Sequence, residues 1–456
     1  MNEGLNADSL HRTVKWLVDS GSVGSFEEAQ RIAEGFSLHL HIDHADAVAN
    51  QSAALAVVKL GRRAFLGGVS VSGALDSVMH GSLANEGTLG KALLASGAHL
   101  GAPNEDVPTI TIGGPQERLG GFHVRLMMAG WRAGVCPIEE PEYLESSDGY
   151  VMPLAAVASA ALAVSQAFSY VAGDVVAGRE PIGLSLWATE AMDWTLPAVD
   201  GPALQLLPAS AWLLGLGHLG QAYAWCLSLL PYPTLDAPRA HFLLQDVDAA
   251  GSSTESTSVL TSAGDKRKMK TRIVADWLER RGFSTRIVER QFDMQTRRAP
   301  GEPPLLFCGV DNPEARRLLD VVNPAFVVEA GLGSRYDDFQ STRLHTFPAS
   351  RTAAQTWAGA ALQSAPSITG AYASLLQDGR LDQCGVVELA GKAVGAAFVG
   401  AFTAALAVSE VLKVLHGGSP SEIMDIDMRS LPTRTVVEGP TRSASINFGY
   451  VKAAAL

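Results

Sequence analysis

The residue pattern with the clearest chemical meaning is a glycine-rich turn over residues 215–220, GLGHLG. An apolar run leads into this turn, and an apolar, helix-like segment follows it. Glycines let a backbone approach phosphate groups closely, and a helix N-terminus offers unpaired N–H groups and the positive end of the helix dipole. The order of strand, turn and helix therefore predicts a nucleotide-binding site at Gly215, Gly217 and Gly220. The pattern by itself is equally typical of a dehydrogenase.

Two carboxylates, Asp246 and Asp248, end the second apolar run of this region, HFLLQDVD. An acidic residue at the end of such a strand can accept hydrogen bonds from ribose hydroxyls, so both are candidate nucleotide ligands. Asp246 follows Gly215 by 31 residues, whereas dinucleotide-binding fingerprints place the acidic residue about 20 residues further on. The longer spacing counts against a dehydrogenase.

Charged residues further along the chain could complete a nucleotide site. Lys270 opens a helix-like segment, KTRIVADWLERRGF, from which its ammonium group could neutralise phosphate charge. Asp311 and Asn312 follow the apolar run LLFCGV, and Arg316 lies about one helical turn later. Ligands and Mg²⁺ bind at the carboxyl ends of parallel strands, so Asp311 is the candidate metal ligand and Asn312 a candidate ATP contact.

One of the four cysteines, Cys384, stands in the segment LDQCGVVE, just before a helix rich in glycine and alanine. A helix N-terminus stabilises a thiolate, so Cys384 is the candidate nucleophile. Cys226 and Cys308 lie in apolar segments typical of a core, and the role of Cys136 is open. No two cysteines form a C-x-x-C pair, which argues against a structural zinc or a disulfide framework and suits a reducing cytoplasm.

Three histidines and an aspartate in the segment HLHIDH (His39, His41, Asp43 and His44) suggest a different chemistry. Similar motifs hold zinc in metallo-β-lactamase-like hydrolases, where the metal activates water. That family has an apolar strand before the motif and glycines after it. Here the residues Glu34-Gly35-Phe36 precede the motif, and an alanine-rich segment follows it. We therefore interpret the segment as a strand with alternating exposed histidines.

Alternating strands and helices must position these candidate residues in the second half of the chain. Strands are predicted near 211–214, 240–246, 304–309 and 325–330, and helices near 217–230, 268–281, 312–322 and 393–416. The alternation predicts the α/β class, with a Rossmann-like, mostly parallel sheet covered by helices.

The first half also has mixed α/β character, without a glycine-rich phosphate loop. A helix is predicted over 51–60, strands over 64–71 and 108–112, and a proline-rich connector over 181–208. The uncharged segment 151–173 is long enough to span a bilayer, but its alanine and serine content favours a buried core helix.

A faint repeat links the two halves. The segments ALAVSQ (161–166) and ALAVSE (405–410) are 244 residues apart, and the same offset carries Gly173 onto Gly417. Either a duplication or chance in alanine-rich sequence would give this similarity.

Charge and termini narrow the class of protein further. With 35 basic and 47 acidic residues the net charge is −12, which argues against general nucleic-acid binding. The basic run KRKMK (266–270) is either a solvated face or a phosphate contact.

The N-terminus lacks the organisation of a signal peptide, and we expect a cytoplasmic protein without a membrane span.

In this order the motifs resemble those of the ubiquitin-activating-enzyme superfamily, which includes the adenylyltransferases of thiamine and molybdopterin synthesis. The resemblance covers 205–418 and rests on the glycine turn, the D-x-D pair, Lys270, the DN-xxx-R segment, Cys384 before a small-residue helix, and E-x-x-K-x-L-x-G at 410–417. The segment STESTS (253–258) replaces the Asn-x-x-Arg that contacts phosphates in that superfamily. We expect Lys266, Arg267 or a residue from the first half to take its place.

The resemblance implies a ThiF-like fold, with an active adenylation domain over 201–456 and an inactive adenylation-like domain over 1–200. It implies ATP and Mg²⁺ as cofactors, a ubiquitin-like protein as substrate, a thioester on Cys384 and a conjugating enzyme as the next partner. The whole chain is similar to the activating enzymes of bacterial ubiquitin-like (Bil-type antiviral) conjugation operons. The alternatives are adenylation for sulfur transfer and, in a different class, an NAD(P)-dependent oxidoreductase.

Overall fold

Two sheets, each built on a parallel centre, organise the chain. The computed structural model describes residues 10–81, 87–114, 121–141, 144, 149–233, 240–359, 368, 370–377, 381–439 and 445–454. One sheet has seven strands and the other has eight. The α/β class with mostly parallel sheets, predicted from the alternation of elements, is confirmed.

The first half forms the seven-stranded sheet. Its strands are β1 (Ser37–Ile42), β2 (Gly68–Gly73), β3 (His99–Leu100), β4 (Thr109–Ile112), β5 (His123–Ala129), β6 (Arg132–Pro137) and β7 (Ile182–Ser185). Its helices are α1 (Arg12–Asp19), α2 (Phe26–Glu34), α3 (Val48–Gly61), α4 (Leu89–Ala95) and α5 (Pro153–Val171). The strand order is β3-β2-β1-β4-β5-β6-β7. Pairing is parallel from β3 to β5 and antiparallel from β5 to β7.

The second half forms the eight-stranded sheet and a small two-stranded sheet. Its strands are β8 (Leu206–Pro208), β9 (Ser210–Leu214), β10 (His241–Gln245), β11 (Ser284–Val288), β12 (Leu305–Cys308), β13 (Phe326–Leu332), β14 (Ser341–Phe347), β15 (Ser421–Asp427), β16 (Thr435–Glu438) and β17 (Tyr450–Lys452). Its helices are α6 (His218–Ser228), α7 (Lys270–Arg280), α8 (Pro313–Arg317), α9 (Ala353–Thr356), α10 (Gly370–Gln377), α11 (Gln383–Gly391) and α12 (Ala397–Leu415). The order in the large sheet is β11-β10-β9-β12-β13-β14-β15-β16, and β8 pairs with β17.

The two large sheets share one topology. In each sheet the central strand, β1 or β9, has two parallel strands on either side, and antiparallel strands extend one edge. The offset of 244 residues found in the sequence carries both ends of α5 onto both ends of α12. The repeated segment is therefore the same structural element in both halves.

The apolar helices α5 and α12 join the halves. Helix α5 packs on the first sheet, α12 packs on the second, and the two helices contact each other. Both are long and apolar enough to cross a membrane by length and composition, yet 89% and 94% of their most apolar stretches are buried inside the protein. Alanines and serines let the helices approach closely, and the buried core helix predicted over 151–173 is confirmed.

Three elements differ from the sequence predictions, two in the first half and one in the second. The apolar residues Ala64 and Phe65 end the turn after α3, because both backbone N–H groups bond to the carbonyl of Gly61, so β2 begins only at Gly68. The connector predicted over 181–208 starts with β7, which completes the first sheet. In the second half, the helix predicted over 312–322 is split into α8 and a 3-10 turn, Leu319–Val322.

The histidine strand is correct as a strand, but the prediction that its histidines are exposed is wrong for His39. This side chain is 1% exposed because β1 lies between β2 and β4. Its ring nitrogens lie 2.8 Å from Ser70 Oγ and 3.0 Å from Ser72 Oγ. His41 contacts Ser72 and Asp43. Among the described residues no group of three His, Cys, Asp or Glu side chains is arranged to hold a metal.

A smaller hydrophobic cluster lies apart from the main core. It joins α1 and α2 of the first half to α10 and α11 of the second. We call α10 and α11 the cysteine hairpin, because α11 carries Cys384. The first half therefore contacts the cysteine hairpin through its first two helices.

Candidate active site

The glycine turn connects β9 to α6 and leaves the start of that helix open. Gly215 has a φ of +77°, and a Cβ there would meet Val310 Cγ1 at 2.7 Å. Gly217 is the N-cap residue of α6, and within the described residues no side chain accepts a hydrogen bond from the helix start. A Cβ on Gly220 would lie 1.9 Å from the carbonyl oxygen of Gly215, so this glycine serves the packing of helix on turn. The free N–H groups of α6 are thus available to an anion.

A cavity of about 510 Å³ lies beside this turn, at the carboxyl ends of β9, β10, β12 and β13. It is lined by seven of the residues singled out in the sequence: Gly215, Gly217, Asp246, Asp248, Lys270, Asp311 and Asn312. Arg316 also lines it, whereas Gly220 does not. Residues spread over almost a hundred positions therefore meet at one edge of the sheet, where ligands bind in open α/β folds.

The two aspartates of the D-x-D pair make different contacts. Asp246 Oδ2 accepts from the backbone N–H of Leu216 at 2.5 Å, and its Oδ1 accepts from the N–H of Asp248 at 2.8 Å. Asp246 therefore holds the glycine turn in shape. Asp248 pairs with Lys270, whose Nζ lies 2.8 Å from Oδ2. Lys270 is the first residue of α7, as its position before the helical pattern predicted.

Asp311 and its neighbours follow β12. Asp311 is exposed and makes no hydrogen bond to another residue within the described part of the chain, so its carboxylate oxygens can accept a ligand. Asn312 caps α8 by accepting from the N–H of Glu314 at 2.8 Å. Arg316 donates to the carbonyls of Val310 at 2.8 Å and Ala330 at 3.2 Å, which fixes the loop that carries Asp311.

Arg316 also belongs to a buried chain of charges. Its NH1 lies 3.0 Å from Glu329 Oε1, and Glu329 Oε2 lies 2.9 Å from His345 Nδ1. Glu329 is fully buried, and isolated charges at such depth are costly unless they are paired. The pairing with Arg316 locks the guanidinium against the sheet and keeps it from swinging into the cavity.

A second cavity, of about 940 Å³, adjoins the first and shares Gly217, Asp248, Lys270 and Asp311 with it. Its lining adds four cationic side chains: Arg12, Lys266, Arg267 and Lys392. The 3-10 turn Ser252–Ser256 occupies the place of the expected Asn-x-x-Arg segment. Arg12 comes from the first half, so both alternatives expected from the sequence, local lysine and arginine or a residue of the first half, line this cavity.

The first half also fixes the loop that borders the second cavity. Arg63 is 4% exposed and donates to the carbonyls of Glu255 at 2.8 Å, Val259 at 3.1 Å and Thr261 at 2.8 Å. Burial lowers the pKa of Arg63 to about 9, with Arg62 adding a repulsive charge. The guanidinium still carries its charge at neutral pH and holds three carbonyls of the other half in place.

His218, in the middle of the glycine turn, is a site residue that sequence reasoning did not single out. Burial lowers its pKa to about 4, so the imidazole is neutral at physiological pH. A Cβ on Gly400 of α12 would lie 2.3 Å from His218 Nε2. The imidazole therefore occupies space that only a glycine on α12 leaves open.

Cys384 is the second residue of α11 and is exposed, whereas the other three cysteines are buried. Burial raises the pKa of Cys308 to about 12 and that of Cys226 still further, so these thiols are unreactive. Asp382 caps α11 by accepting from the N–H of Gly385 at 2.7 Å.

Cys384 does not line either of the two cavities described above. Cys384 stands eight positions before Lys392 along α11, a distance of about 12 Å along the helix axis. The sequence prediction that Cys384 stands just before the helix rich in glycine and alanine is wrong in one respect. A separate helix, α11, and a short loop stand between the cysteine and α12.

Comparison with known proteins assigns a class to this architecture. Family models of the BilD N-terminal and C-terminal domains match residues 35–186 and 207–418. A relative from Collimonas sp. (strain OK412), described as a bacterial E1-like protein BilD, is 39% identical over 458 residues, which covers 97% of this chain and 98% of the relative. These matches place the chain among the bacterial E1-like proteins. Within that class it belongs to the BilD family, which confirms the resemblance to Bil-type proteins inferred from the motifs.

Solved structures give weaker similarities. The microcin C7 biosynthetic enzyme MccB in complex with N-formylated MccA aligns with a TM-score of 0.35 and 13% identity, over 71% of this chain and 97% of that one. E. coli MccB with ATP aligns with a TM-score of 0.34 and 16% identity, over 52% and 66% of the two chains. TM-scores below 0.5 carry no conclusion about function.

Proposed function

We propose that this protein adenylates the C-terminal glycine of a ubiquitin-like protein with ATP and then accepts the acyl group on Cys384 as a thioester. The observation that carries the proposal is the cavity at the sheet edge, which unites the open start of α6 with Lys270 and the unpaired carboxylate of Asp311. An anion site, a cation and a metal ligand in one cavity are the groups that a magnesium nucleotide needs.

In this proposal the triphosphate extends from the glycine turn into the second cavity. The N–H groups of α6 receive phosphate oxygens, and Lys270 exchanges Asp248 for phosphate charge. Arg12, Lys266, Arg267 and Lys392 line the region beyond and compensate for the missing Asn-x-x-Arg segment. Asn312 and Asp248 remain available for the nucleoside, whereas Asp246 supports it indirectly by holding the turn.

The donor set fits Mg²⁺ at Asp311, because a free carboxylate beside an anion site is the usual protein ligand for this ion. When bound, the ion would stabilise negative charge on the phosphate oxygens and on the departing pyrophosphate. Arg316 holds the carbonyls that border Asp311, so the carboxylate is fixed before the nucleotide arrives.

The first chemical step joins the glycine carboxylate to the α-phosphate. A carboxylate oxygen attacks the phosphorus, the bond to the β-phosphate oxygen breaks, and pyrophosphate leaves with the electron pair. Alignment of the two anions removes much of the entropic barrier, and the surrounding cations stabilise the developing charge.

In the second step the Cys384 thiolate attacks the acyl carbon, and AMP leaves. Reacting atoms must come within about 3.5 Å, whereas Cys384 stands at the end of α11 remote from Lys392. The acyl adenylate and the cysteine hairpin must therefore approach each other between the two steps. A conjugating enzyme is the expected next acceptor, in the cytoplasm, where cysteine thiols stay reduced.

We further propose that the first half is the inactive partner of the adenylation half, with boundaries near 1–200 and 201–456. The edge of its sheet that corresponds to the glycine turn is closely packed. A Cβ on Gly113 would lie 2.7 Å from His44 Nδ1, and one on Gly114 would lie 2.3 Å from Asp43 Oδ2. Asp43 and His44 thus lie directly against these two glycines, at the edge where the second half has its cavity.

ATP–pyrophosphate exchange tests the adenylation step. Labelled pyrophosphate should enter ATP only when protein, Mg²⁺ and a ubiquitin-like partner ending in glycine are all present. A partner that lacks the last glycine is the matched control. Exchange that is independent of the partner's C-terminus would contradict the proposal, and hydride transfer to NAD(P) would favour the oxidoreductase. Exchange without a thioester would favour adenylation for sulfur transfer.

A further inference from the structure

Helix α1 contacts both the phosphate side of the cavity and the cysteine hairpin. Arg12, its first residue, lines the second cavity, and the backbone N–H of Arg12 donates to Ser256 Oγ at 3.4 Å. Lys15 lies three residues later, so the two side chains are one helical turn apart, about 4.5 Å along the axis. One short helix of the first half therefore borders the nucleotide site and the thiol carrier at the same time.

Lys15 is the residue that ties α1 to the cysteine hairpin. Its side chain is 0% exposed, and its Nζ donates to Tyr372 Oη on α10 at 2.9 Å and to the carbonyl of Ala390 on α11 at 3.2 Å. Asp19 neutralises the ammonium from 2.8 Å and accepts from Tyr372 Oη at 2.6 Å. Each helix of the hairpin thus bonds to the same nitrogen.

The point of attachment on α11 is informative. Ala390 stands at the end of α11, two residues before Lys392 and three before Ala393, and both of these line the cavities. Lys15 therefore holds α11 at the end that adjoins the nucleotide site, while Cys384 stands at the other end. Small movements at Ala390 are magnified at the thiol by the length of the helix.

Apolar packing alone would have held the hairpin against α1. Leu17, Val18, Phe26, Leu375 and Leu389 already form a dry cluster between these helices. A fully buried ammonium adds little net stability over an apolar side chain of similar volume, but its hydrogen bonds fix direction and register. Burial lowers the pKa of Lys15, and the Asp19 carboxylate opposes that shift by its charge and its hydrogen bond.

We propose that Lys15 is a positioning residue for acyl transfer, which sets the path of Cys384 toward the acyl adenylate by fixing the cavity end of α11 to α1. The inference rests on the proposed function, because it concerns the second step of that reaction. Adenylation itself does not depend on Lys15, since neither the ammonium nor its partners line the cavities. Loss of the bonds lets the thiol sample more positions and lowers its effective concentration at the adenylate.

The test compares Lys15→Met, Tyr372→Phe and the control Lys91→Met, an exposed lysine on α4. Each full-length variant is assayed for pyrophosphate exchange and, in single-turnover reactions over a range of partner concentrations, for thioester formation on Cys384. Lys15→Met should exchange pyrophosphate within about twofold of the wild type but transfer about tenfold more slowly, with the half-saturating partner concentration unchanged. Tyr372→Phe removes one oxygen atom and should slow transfer less.

Two outcomes would overturn the role of Lys15: unchanged transfer in Lys15→Met, or a parallel fall in exchange and transfer. If Lys15→Met fails to fold, Tyr372→Phe decides alone by the same comparison. Hydrogen exchange of the α11 amides provides a readout that is independent of activity. These amides should exchange faster in Lys15→Met while those of α12 stay protected. A wild-type protein that forms no thioester on Cys384 would instead refute the proposed function.

Discussion

Asp248 and Lys270 form an ion pair of 2.8 Å although 22 residues separate them in the chain. Both line the two adjoining cavities, so the pair stands where the nucleotide is proposed to bind. The Asp248 side chain is 63% exposed, and such a pair contributes less than about 1 kcal/mol to stability. The position of Lys270, rather than the strength of its ion pair, is what the nucleotide would use.

We therefore expect Lys270→Met to leave the fold intact and to lower pyrophosphate exchange on the order of 100-fold, because a phosphate charge loses its counterion. The matched control is Arg272→Gln, which removes an exposed cation from the same helix. Exchange rates and thermal unfolding of both variants provide the measurement. A Lys270→Met protein that exchanges at the wild-type rate would remove Lys270 from the site.

Asp311→Ala should abolish exchange without unfolding the protein. The carboxylate makes no bond within the described part of the chain, so its loss costs little stability, whereas loss of a metal ligand lowers rates on the order of 100-fold or more. Glu314→Ala, on the neighbouring helix and 71% exposed, is the control. Titration with Mg²⁺ should show a weakened metal dependence in Asp311→Asn, and near-normal exchange in Asp311→Ala would refute the assignment.

Arg12→Ala tests whether the first half contributes to nucleotide binding. Arg12 lines the cationic cavity, so its loss should raise the KM for ATP about tenfold while the apolar cluster of α1 keeps the helix in place. Arg31→Ala on the surface of α2 is the control. Initial rates over a range of ATP concentrations measure the effect. An unchanged KM would leave Lys266, Arg267 and Lys392 as the phosphate contacts.

Cys384→Ala should keep pyrophosphate exchange and lose the reductant-sensitive adduct, because the thiol takes no part in forming the acyl adenylate. Cys384→Ser should give a more stable oxyester, since an alkoxide is a poorer leaving group than a thiolate. Because the other cysteines are buried, iodoacetamide should label Cys384 first, which mass spectrometry of the peptides measures. An adduct that persists in Cys384→Ala would show that the nucleophile is another residue.

Acid should destabilise the protein through three histidines. Burial lowers the pKa of His11, His39 and His218 from 6.5 to about 4 each, and neighbouring basic side chains lower it further to a lesser extent. Between these two values the unfolded chain binds protons that the folded chain excludes, so the free energy of unfolding falls as the pH falls. Each histidine contributes at most about 1.4 kcal/mol per pH unit. No such change is expected above pH 6.5.

Urea unfolding at pH 7, 6 and 5 measures this dependence. His39→Gln should flatten it, because the amide can replace both serine hydrogen bonds and does not titrate in this range. The control His80→Gln, which changes an exposed side chain, should leave the pH dependence of unfolding as in the wild type. An identical pH dependence in His39→Gln and wild type would exclude His39 as a contributor.

The candidate site residues of the second half were predictable because they lie in short sequence motifs. Gly215 and Gly217 stand in a motif typical of a tight turn between a strand and a helix, and Asp311 directly follows an apolar strand. Parallel pairing then brings the carboxyl ends of these strands together at one edge of the sheet. The position of Lys270 at the start of α7 follows from the same logic.

The residues that escaped prediction are placed by contacts between distant parts of the chain. Arg12 lies about two hundred positions before the glycine turn, and only the packing of α1 on the loop with Ser256 brings it to the cavity. The neutral state of His218 depends on its burial against Gly400. The burial of His39 depends on strands on both sides of β1. No local pattern encodes such neighbours.

The two halves share one topology but belong to a single chain, so their sequences can diverge from each other in evolution. In a symmetric homodimer both subunits have the same sequence, so each substitution changes both copies of a site. One continuous chain removes that constraint, so Arg12 and Lys15 of the first half can contact the cavity and the cysteine hairpin of the second. The covalent link also sets the effective concentration of each half relative to the other. The specific activity of this protein should therefore not fall on dilution.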